Sequence, residues 1–504
     1  MSRRCTLGVD IGTSSAKGVL VAADGTILAS ATRAHSVDRP TVGHVEMNAA
    51  TWWAEFTAIS RELIRSARAD HPDVEVVAVG VSGMGPCALL TDADDVPLRP
   101  AILYGVDTRA TAQIESLTAE LGAAAIVERG GSPLTTQAVG PKLRWIAEHE
   151  PEVAARARRL YMPASWLVAQ LTGAYVLDRH SASQCWPLYD LAAESWHSPW
   201  WNRIAGDIEP PHLLWPGDVA GSVTAGAAAA TGIPEGTPVI AGTIDAWSEA
   251  VSVGAVEAGD LMLMYGTTMF LVATTSHPVR TPAMWTTAGT TAGSASLAGG
   301  MATSGAITAW LSELFGGPAA GAGFADLTAE AEASGIGARG LLMLPYFAGE
   351  RTPILDPDAR GIIAGLSLEH TRGDLYRAAL EATAFGVRHN VESMRAAGVR
   401  IDRIIAVGGG TTGRLWTRIV SDVTGLPQQI PAVTIGASFG AAYLAARSQT
   451  DTSGAIDEWN PVVATCEPDA EATAVYDARW PLYRDLYEQT APLIHELVSS
   501  GVPR

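Results

Sequence analysis

The chain reads as an α/β protein built around parallel strands. Three observations point there. Val74 to Val81 is a nearly continuous β-branched run, the pattern of a central strand buried on both faces. Strand-like and helix-like stretches alternate along most of the sequence. Two strand–turn–strand units with hydroxyl-bearing turns recur about 250 residues apart.

The elements follow in chain order. Thr6 to Ile11 is a strand, Gly12 to Lys17 a turn, and Gly18 to Ala22 a second strand. Asp24-Gly25 is a two-residue hairpin signal, and Thr26 to Ser30 makes a third strand. A helix is predicted from Thr51, as N-cap, to about Ala69. After the β-branched run ending in Ser82-Gly83, Gly232 to Pro238 is a surface turn leading into Val239-Ile240-Ala241. Leu261 to Tyr265, Gly266-Thr267-Thr268 and Met269 to Ala273 repeat the opening unit, which suggests two related domains. Ile401 to Val407 is a strand, Gly408 to Gly413 a loop and Leu415 to Val423 a helix. Small residues from Gly436 to Ala445 predict a helix packed closely on a neighbour. Trp480, Tyr483 and Tyr487 share one face of a capping helix.

With 504 residues, two to four domains are expected at roughly 100–200 residues each. A hydrophobic share of 47% against 17% charged supports large cores rather than disorder. The net charge of −19 argues against a general nucleic-acid binder, which needs a basic face, and leaves only a local basic patch open. Cys5, Cys87, Cys185 and Cys466 form no C-x-x-C pair and fit a reducing compartment. No apolar leader precedes the first strand, and no run of ~18 apolar residues exists. A soluble cytoplasmic protein is expected, with no membrane partner.

Four stretches can carry chemistry. The turn after the first strand points backbone N–H groups one way. Gly12 lets a ligand approach, and Thr13, Ser14 and Ser15 add hydroxyls, so the concavity suits phosphate oxygens. Lys17 can add a charge, and Asp10 can hold Mg²⁺ directly or through water. Each also fits an ordinary hairpin with a solvated Asp. Gly266, Thr267 and Thr268 offer the same turn again. Gly408, Gly409, Gly410 and Thr411 lie between strand and helix, where bare backbone lets a flat nucleoside lie close. Asp245 follows the strand Val239–Ala241 at a helix start. There a carboxylate can take the proton of an attacking hydroxyl, or simply cap the helix.

Three rival motifs fail on arithmetic or context. Gly408 to Gly413 satisfies G-x-G-x-x-G, but Pro427 to Pro431 supplies no acid to hold a ribose. The only lysines, Lys17 and Lys142, have no Gly before and no Ser or Thr after, which excludes a P-loop. Gly436 to Gly440 matches G-x-S-x-G, but no strong strand precedes it.

Taken together, the motifs resemble the FGGY carbohydrate kinases over almost the whole chain. Gly8-Val-Asp10-Ile-Gly-Thr-Ser14 resembles the family's first phosphate motif. Val239 to Asp245 resembles the stretch ending in its catalytic aspartate, and Met264 to Thr268 its second phosphate motif. Gly349-Glu-Arg-Thr-Pro353 with Asp356, Arg360-Gly361 and Gly365-Leu366 resembles the xylulokinase-like signature. Val407 to Thr411 resembles the adenosine motif. The resemblance implies two actin-like (ribonuclease H-like) ATPase domains flanking a central cleft, residues 1–250 binding sugar and 251–504 binding nucleotide. It implies ATP and Mg²⁺, with Asp245 as base and Asp10 supporting the metal. By the same likeness Gly12, Thr13, Ser14, Gly266, Thr267 and Thr268 hold phosphates. Gly408, Gly409 and Gly410 then border the nucleoside. Dimers occur in the family, so a homodimer is compatible, though no sequence feature marks an interface.

One departure bears on the acceptor. Xylulokinases carry Gln-Met-His-Gly after the strand that ends here in Val81-Ser82-Gly83; this chain has Met84-Gly85-Pro86-Cys87, so the histidine that would touch sugar is missing. Met84 and Asp107 remain as candidate acceptor contacts, although Asp107 equally suits an ion pair with Arg109. A xylulose-like ketopentose, another polyol or a deoxy sugar all stay open. A second reading is an actin-like sensor that binds nucleotide and sugar without turnover. It differs at Asp245, which a pure binder does not need.

Overall fold

The computed structural model describes residues 3–449 and 455–500, which fall into two compact units. One comprises Met1–Glu257, Thr274–Ser296 and Ile435–Pro461; the other comprises Ala258–Ala273, Leu297–Thr434 and Val462–Arg504.

In the first unit, β1 (Arg3–Ile11) and β2 (Ser15–Ala22) form the opening hairpin, with β3 (Ile27–Ala34) antiparallel beside β2. Helix α1 (Ala49–Asp70) follows. It begins two residues earlier than the sequence suggested. Asn48, not Thr51, is the cap, because its side chain accepts the Ala50 N–H while Thr51 already lies inside the first turn. The β-branched run becomes β4 (Val74–Gly83), parallel to β1. With β5 (Val219–Ser222) and β6 (Pro238–Ile240), the spatial order is β5-β6-β4-β1-β2-β3. Trp52, Phe56, Ile59 and Leu63 of α1 are fully buried in the core of this unit. A late helix, Ala437–Arg447, packs on Gly8 of β1 and Gly80 of β4, where any Cβ would strike its backbone. The small residues noted from Gly436 onward thus serve close packing. Ser438 is buried in that helix and is no esterase nucleophile.

In the second unit, β7 (Asp260–Tyr265) and β8 (Met269–Thr275) form the second hairpin. Strand β9 (Arg403–Val407) runs parallel to β7, β10 (Gln428–Pro431) runs parallel to β9, and β11 (Val462–Cys466) is antiparallel to β10. The order β11-β10-β9-β7-β8 matches β5-β6-β4-β1-β2 of the first unit in position and strand direction, although the outermost strand precedes its neighbour in the first unit and follows it in the second. The short sequence echo is therefore the visible part of a repeat of four strands, β1, β2, β4 and β6 against β7, β8, β9 and β10. The final helix (Ala470–Ser499) buries Trp480 and Tyr483 as their spacing predicted, and Phe385 stacks against Tyr483 at 5.1 Å.

Candidate active site

Parallel strands bring their C-terminal ends, and the turns that follow, to one edge of a sheet. In the first unit, Ile11 of β1 pairs with Gly83 of β4, and Thr243-Ile244 pair with Ser82-Gly83 of the same strand. Three chain segments therefore deliver Asp10, Met84 and Asp245 from neighbouring strand ends. Asp245 is the first residue of helix α2 (Asp245–Ser252), and its Oδ1 accepts the Ala246 N–H at 2.7 Å. The late helix seats α2 closely, since a Cβ at Gly440 would strike the Ser248 carbonyl.

Asp10 is 9% exposed and accepts a 2.8 Å hydrogen bond from Ser82 Oγ. Burial, reinforced by the like charges of Asp245 and Glu249, raises its carboxyl to about 8. Burial also raises Asp245, to about 6, and Glu249, to about 7, the latter pushed further by Asp245. Lys17 opposes this rise at both Asp10 and Glu249, so its charge reaches the carboxylates. Glu249 was not anticipated from sequence. Its signal was present as an acid four residues after Asp245, on the same face of α2.

The opening turn closes with the Gly12 N–H donating to Ser15 O at 3.0 Å. His35 supports it from behind. One ring nitrogen lies 3.0 Å from the Gly12 carbonyl and the other 2.9 Å from the Glu55 carboxylate. Thr13 and Tyr104 share a 2.7 Å hydroxyl hydrogen bond, while Ser14 is exposed. Neither His35 nor Tyr104 carries a sequence signal of this role, since both contacts depend on tertiary approach.

Asp107 is buried and fully engaged. Arg109 donates to both its oxygens at 3.0 Å through Nε and at 2.7 Å through a terminal nitrogen, and the Val45 N–H adds a 2.6 Å bond. Arg109 continues to Glu46 at 2.6 Å and lies over the Trp145 ring. Of the two readings of Asp107, the ion pair is the one its contacts display. Lys142 is buried nearby and donates to the Thr136 and Ala138 carbonyls at 2.6 and 3.2 Å, with burial lowering its ammonium to about 8. It holds the loop whose Gln137 side chain accepts the Gly105 N–H.

In the second unit, Met264 pairs with Val407, so the Gly266–Thr268 turn and the Gly408–Thr411 loop leave adjacent strand ends. The Gly266 N–H donates to Thr268 O at 3.1 Å, and the Thr267 carbonyl accepts from Ser304 and Ala306 N–H groups. Thr267 itself is exposed. Gly408 has φ +93° and lies so close to Tyr265 that a Cβ would sit 2.5 Å from its carbonyl oxygen. Gly410 lies against Tyr265 and Trp416, and Gly409 meets nothing within 4 Å. The Thr411 hydroxyl donates back to Gly408 O at 2.8 Å, closing the loop on itself. Tyr265 is thus the floor under both motifs, held by its hydroxyl donating 2.6 Å to Gln428. Strand β10, which follows the glycine loop, bears no acid, in keeping with the rejection of a dinucleotide site.

The xylulokinase-like signature is a packing device here. Glu350 accepts N–H bonds from Ala302 and Arg351, Thr352 bonds Asn390 at 2.6 Å, and Asp356 accepts from Tyr487 at 2.8 Å.

Comparison with known proteins agrees with this geometry. Residues 5–252 match the N-terminal domain and residues 261–449 the C-terminal domain of the FGGY family of carbohydrate kinases. The chain is 28% identical to a xylulose kinase of Escherichia coli (strain K12), covering 97% of this chain and 99% of that one. It is 29% identical to a glycerol kinase of Nocardia farcinica over 90% and 92% of the two chains. Among solved structures, a xylulose kinase from Rhodospirillum rubrum superposes with a TM-score of 0.91 at 34% identity, covering 98% of this chain and all of that one. The fold and family are those of a phosphotransferase with an alcohol group as acceptor. The chain belongs to the FGGY family of carbohydrate kinases, whose members use ATP and a sugar or polyol.

Proposed function

We propose that the chain transfers the γ-phosphoryl group of ATP to one hydroxyl of a xylulose-like ketopentose or a closely related polyol. The observation that carries this reading is Asp245, a carboxylate at a helix start on the strand-end edge that also bears Asp10. In the reaction the acceptor oxygen attacks the γ-phosphorus, its proton passes to Asp245, and the bond from γ-phosphorus to the β–γ bridging oxygen breaks to release ADP. Gly12, Thr13, Ser14 and Lys17 in one unit, and Gly266, Thr267 and Thr268 in the other, bind phosphate oxygens. Gly408, Gly409, Gly410 and Thr411 bind the nucleoside. Xylulose kinase relatives matching nearly end to end support a ketopentose acceptor.

Mg²⁺ fits the donors present. Asp10 offers a hard oxygen beside two further carboxylates, and among the described residues no three such side chains form a closed cage. That suits an ion that keeps most of its water. Asp10 would hold it, and when bound it supplies charge neutralisation on the phosphates. The four cysteines are unpaired, which supports a cytoplasmic location, and no helix of the described residues is long and apolar enough to cross a membrane. A homodimer belongs to the same proposal, with small-molecule partners only.

ADP release measured across pentuloses, hexuloses and pentitols tests the reading. Turnover with at least one is expected. Tight nucleotide binding with silence across the panel would favour the sensor instead.

A further inference from the structure

The stretch Met84 to Cys87, which lacks the histidine, is not simply open space. Gly85 is half-exposed, and its φ lies outside the left-handed region, so its backbone does not require glycine. Space requires it. A Cβ at Gly85 would lie 2.7 Å from Ile244 Cγ1 and 2.9 Å from Cδ1, well inside contact distance. Ile244 is 3% exposed and pairs with Gly83, so its backbone is fixed by the sheet. It is also the residue immediately before Asp245. On the other side, Met84 is tied to the first strand by its N–H donating 2.7 Å to the Ile11 carbonyl, and its own carbonyl accepts from Cys87 Sγ. Met84, Gly85 and Ile244 therefore form one contiguous wall that runs in sequence into Asp245, and its side chains are hydrocarbon or thioether.

We propose that Ile244 is the acceptor-selecting residue of this chain: by filling the space a side chain at 85 would need, it removes a hydrogen-bonding group from that wall. The inference rests on the kinase reading of Asp245 and deepens it to a substrate class. An acceptor hydroxyl directed at this wall loses its water and gains no partner, whereas a C–H, methylene or methyl there loses nothing. The preferred acceptor is a small sugar or polyol that is deoxygenated, or carries a methyl, on the carbon facing Gly85. Discrimination of this kind stems from unpaired polar groups and reaches larger ratios than shape alone.

The test uses matched acceptor pairs, each a pentulose or pentitol with its deoxy analogues, assayed by ADP release with the full-length protein. The readout is the ratio of kcat/KM within each pair, which loss of stability alone does not move. For the unaltered chain, one deoxy analogue is expected to be preferred by ~10–100-fold. In Ile244→Ala the ratio is expected to fall by ~10-fold. In the double variant Gly85→His with Ile244→Gly it is expected to turn in favour of the hydroxylated member, provided thermal melting shows a folded protein. A hydroxylated acceptor used as well as every deoxy partner, or a ratio unmoved in Ile244→Ala, would overturn the proposal. Absence of turnover with every acceptor is a different result. It removes the kinase reading, and this inference with it.

Discussion

The two units end their sheets in the same way and equip those ends differently. Each has a hairpin whose first strand is paired in parallel to a later strand, with a phosphate-suited turn at the hairpin. At the first of these edges stand Asp10, Asp245 and Glu249, with Lys17 within electrostatic reach of Asp10 and Glu249. The corresponding edge of the second unit presents Gly266–Thr268 and Gly408–Thr411 over Tyr265, with no titratable side chain in either motif except that buried phenol. In the proposed reading, one copy of the repeat carries the proton and metal chemistry, and the other the neutral recognition through backbone and hydroxyls. The same scaffold occurs twice, and the side chains at a few strand ends are what set the two copies apart.

The sharpest way to break that contrast is at Asp245. Asp245→Ala is expected to fold and to lose kcat by ~10²–10⁴-fold, the usual worth of a positioned base. Because Asp245 must be ionised to accept a proton, log kcat of the unaltered enzyme should fall with decreasing pH below about 6. The acid limb should be absent from residual turnover in Asp245→Ala. Wild-type-like turnover in that variant, read by ADP release, would remove Asp245 as base. A matching lesion in the second unit should look different. Gly408→Val places a branched side chain against the Tyr265 carbonyl at a positive φ. It should raise the KM for ATP by ~10-fold or more and cost about 1–3 kcal/mol of stability, with little direct effect on the chemical step. Calorimetry together with kcat and KM checks this. A loss confined to kcat would mean that the second edge takes part in chemistry after all.

How far these sites could be read from sequence follows the same division. The turns, the glycine loop and Asp245 lie in short contiguous motifs, where residue type and local spacing carry the signal. The second hairpin betrayed the repeat for the same reason. What stayed hidden depends on approach between distant segments. His35 meets Gly12 across 23 positions, Tyr104 meets Thr13 across 91, and Tyr265 underlies a loop that begins more than a hundred residues later. Asp107 was legible as a candidate, but the ion pair its contacts display depends on the Val45 N–H and Arg109 converging on it, with Glu46 holding Arg109 in turn. The cap of α1 was misplaced because Asn48 and Thr51 are both good capping residues, and only the backbone path selects between them.

His35 offers the finest probe of the contrast, because it supports the charged edge without belonging to it. Its ring bridges the Gly12 carbonyl and the Glu55 carboxylate, and the ring is itself almost wholly enclosed, at 6% exposure. A turn whose backbone is anchored in this way offers its N–H groups already oriented, so binding does not have to order them. His35→Ala removes one anchoring hydrogen bond, worth about 1 kcal/mol or roughly a fivefold change in an equilibrium. That loss should appear as a KM for ATP raised about fivefold, with kcat within a factor of about two, since Asp245 and the acceptor wall are untouched. Glu55→Gln keeps the length and much of the hydrogen bonding, and should give a smaller change in the same direction. If His35→Ala lowers only the melting temperature and leaves both kinetic constants alone, the bridge is ordinary packing. The orientation of the first phosphate turn would then be set by the β1–β2 hairpin itself.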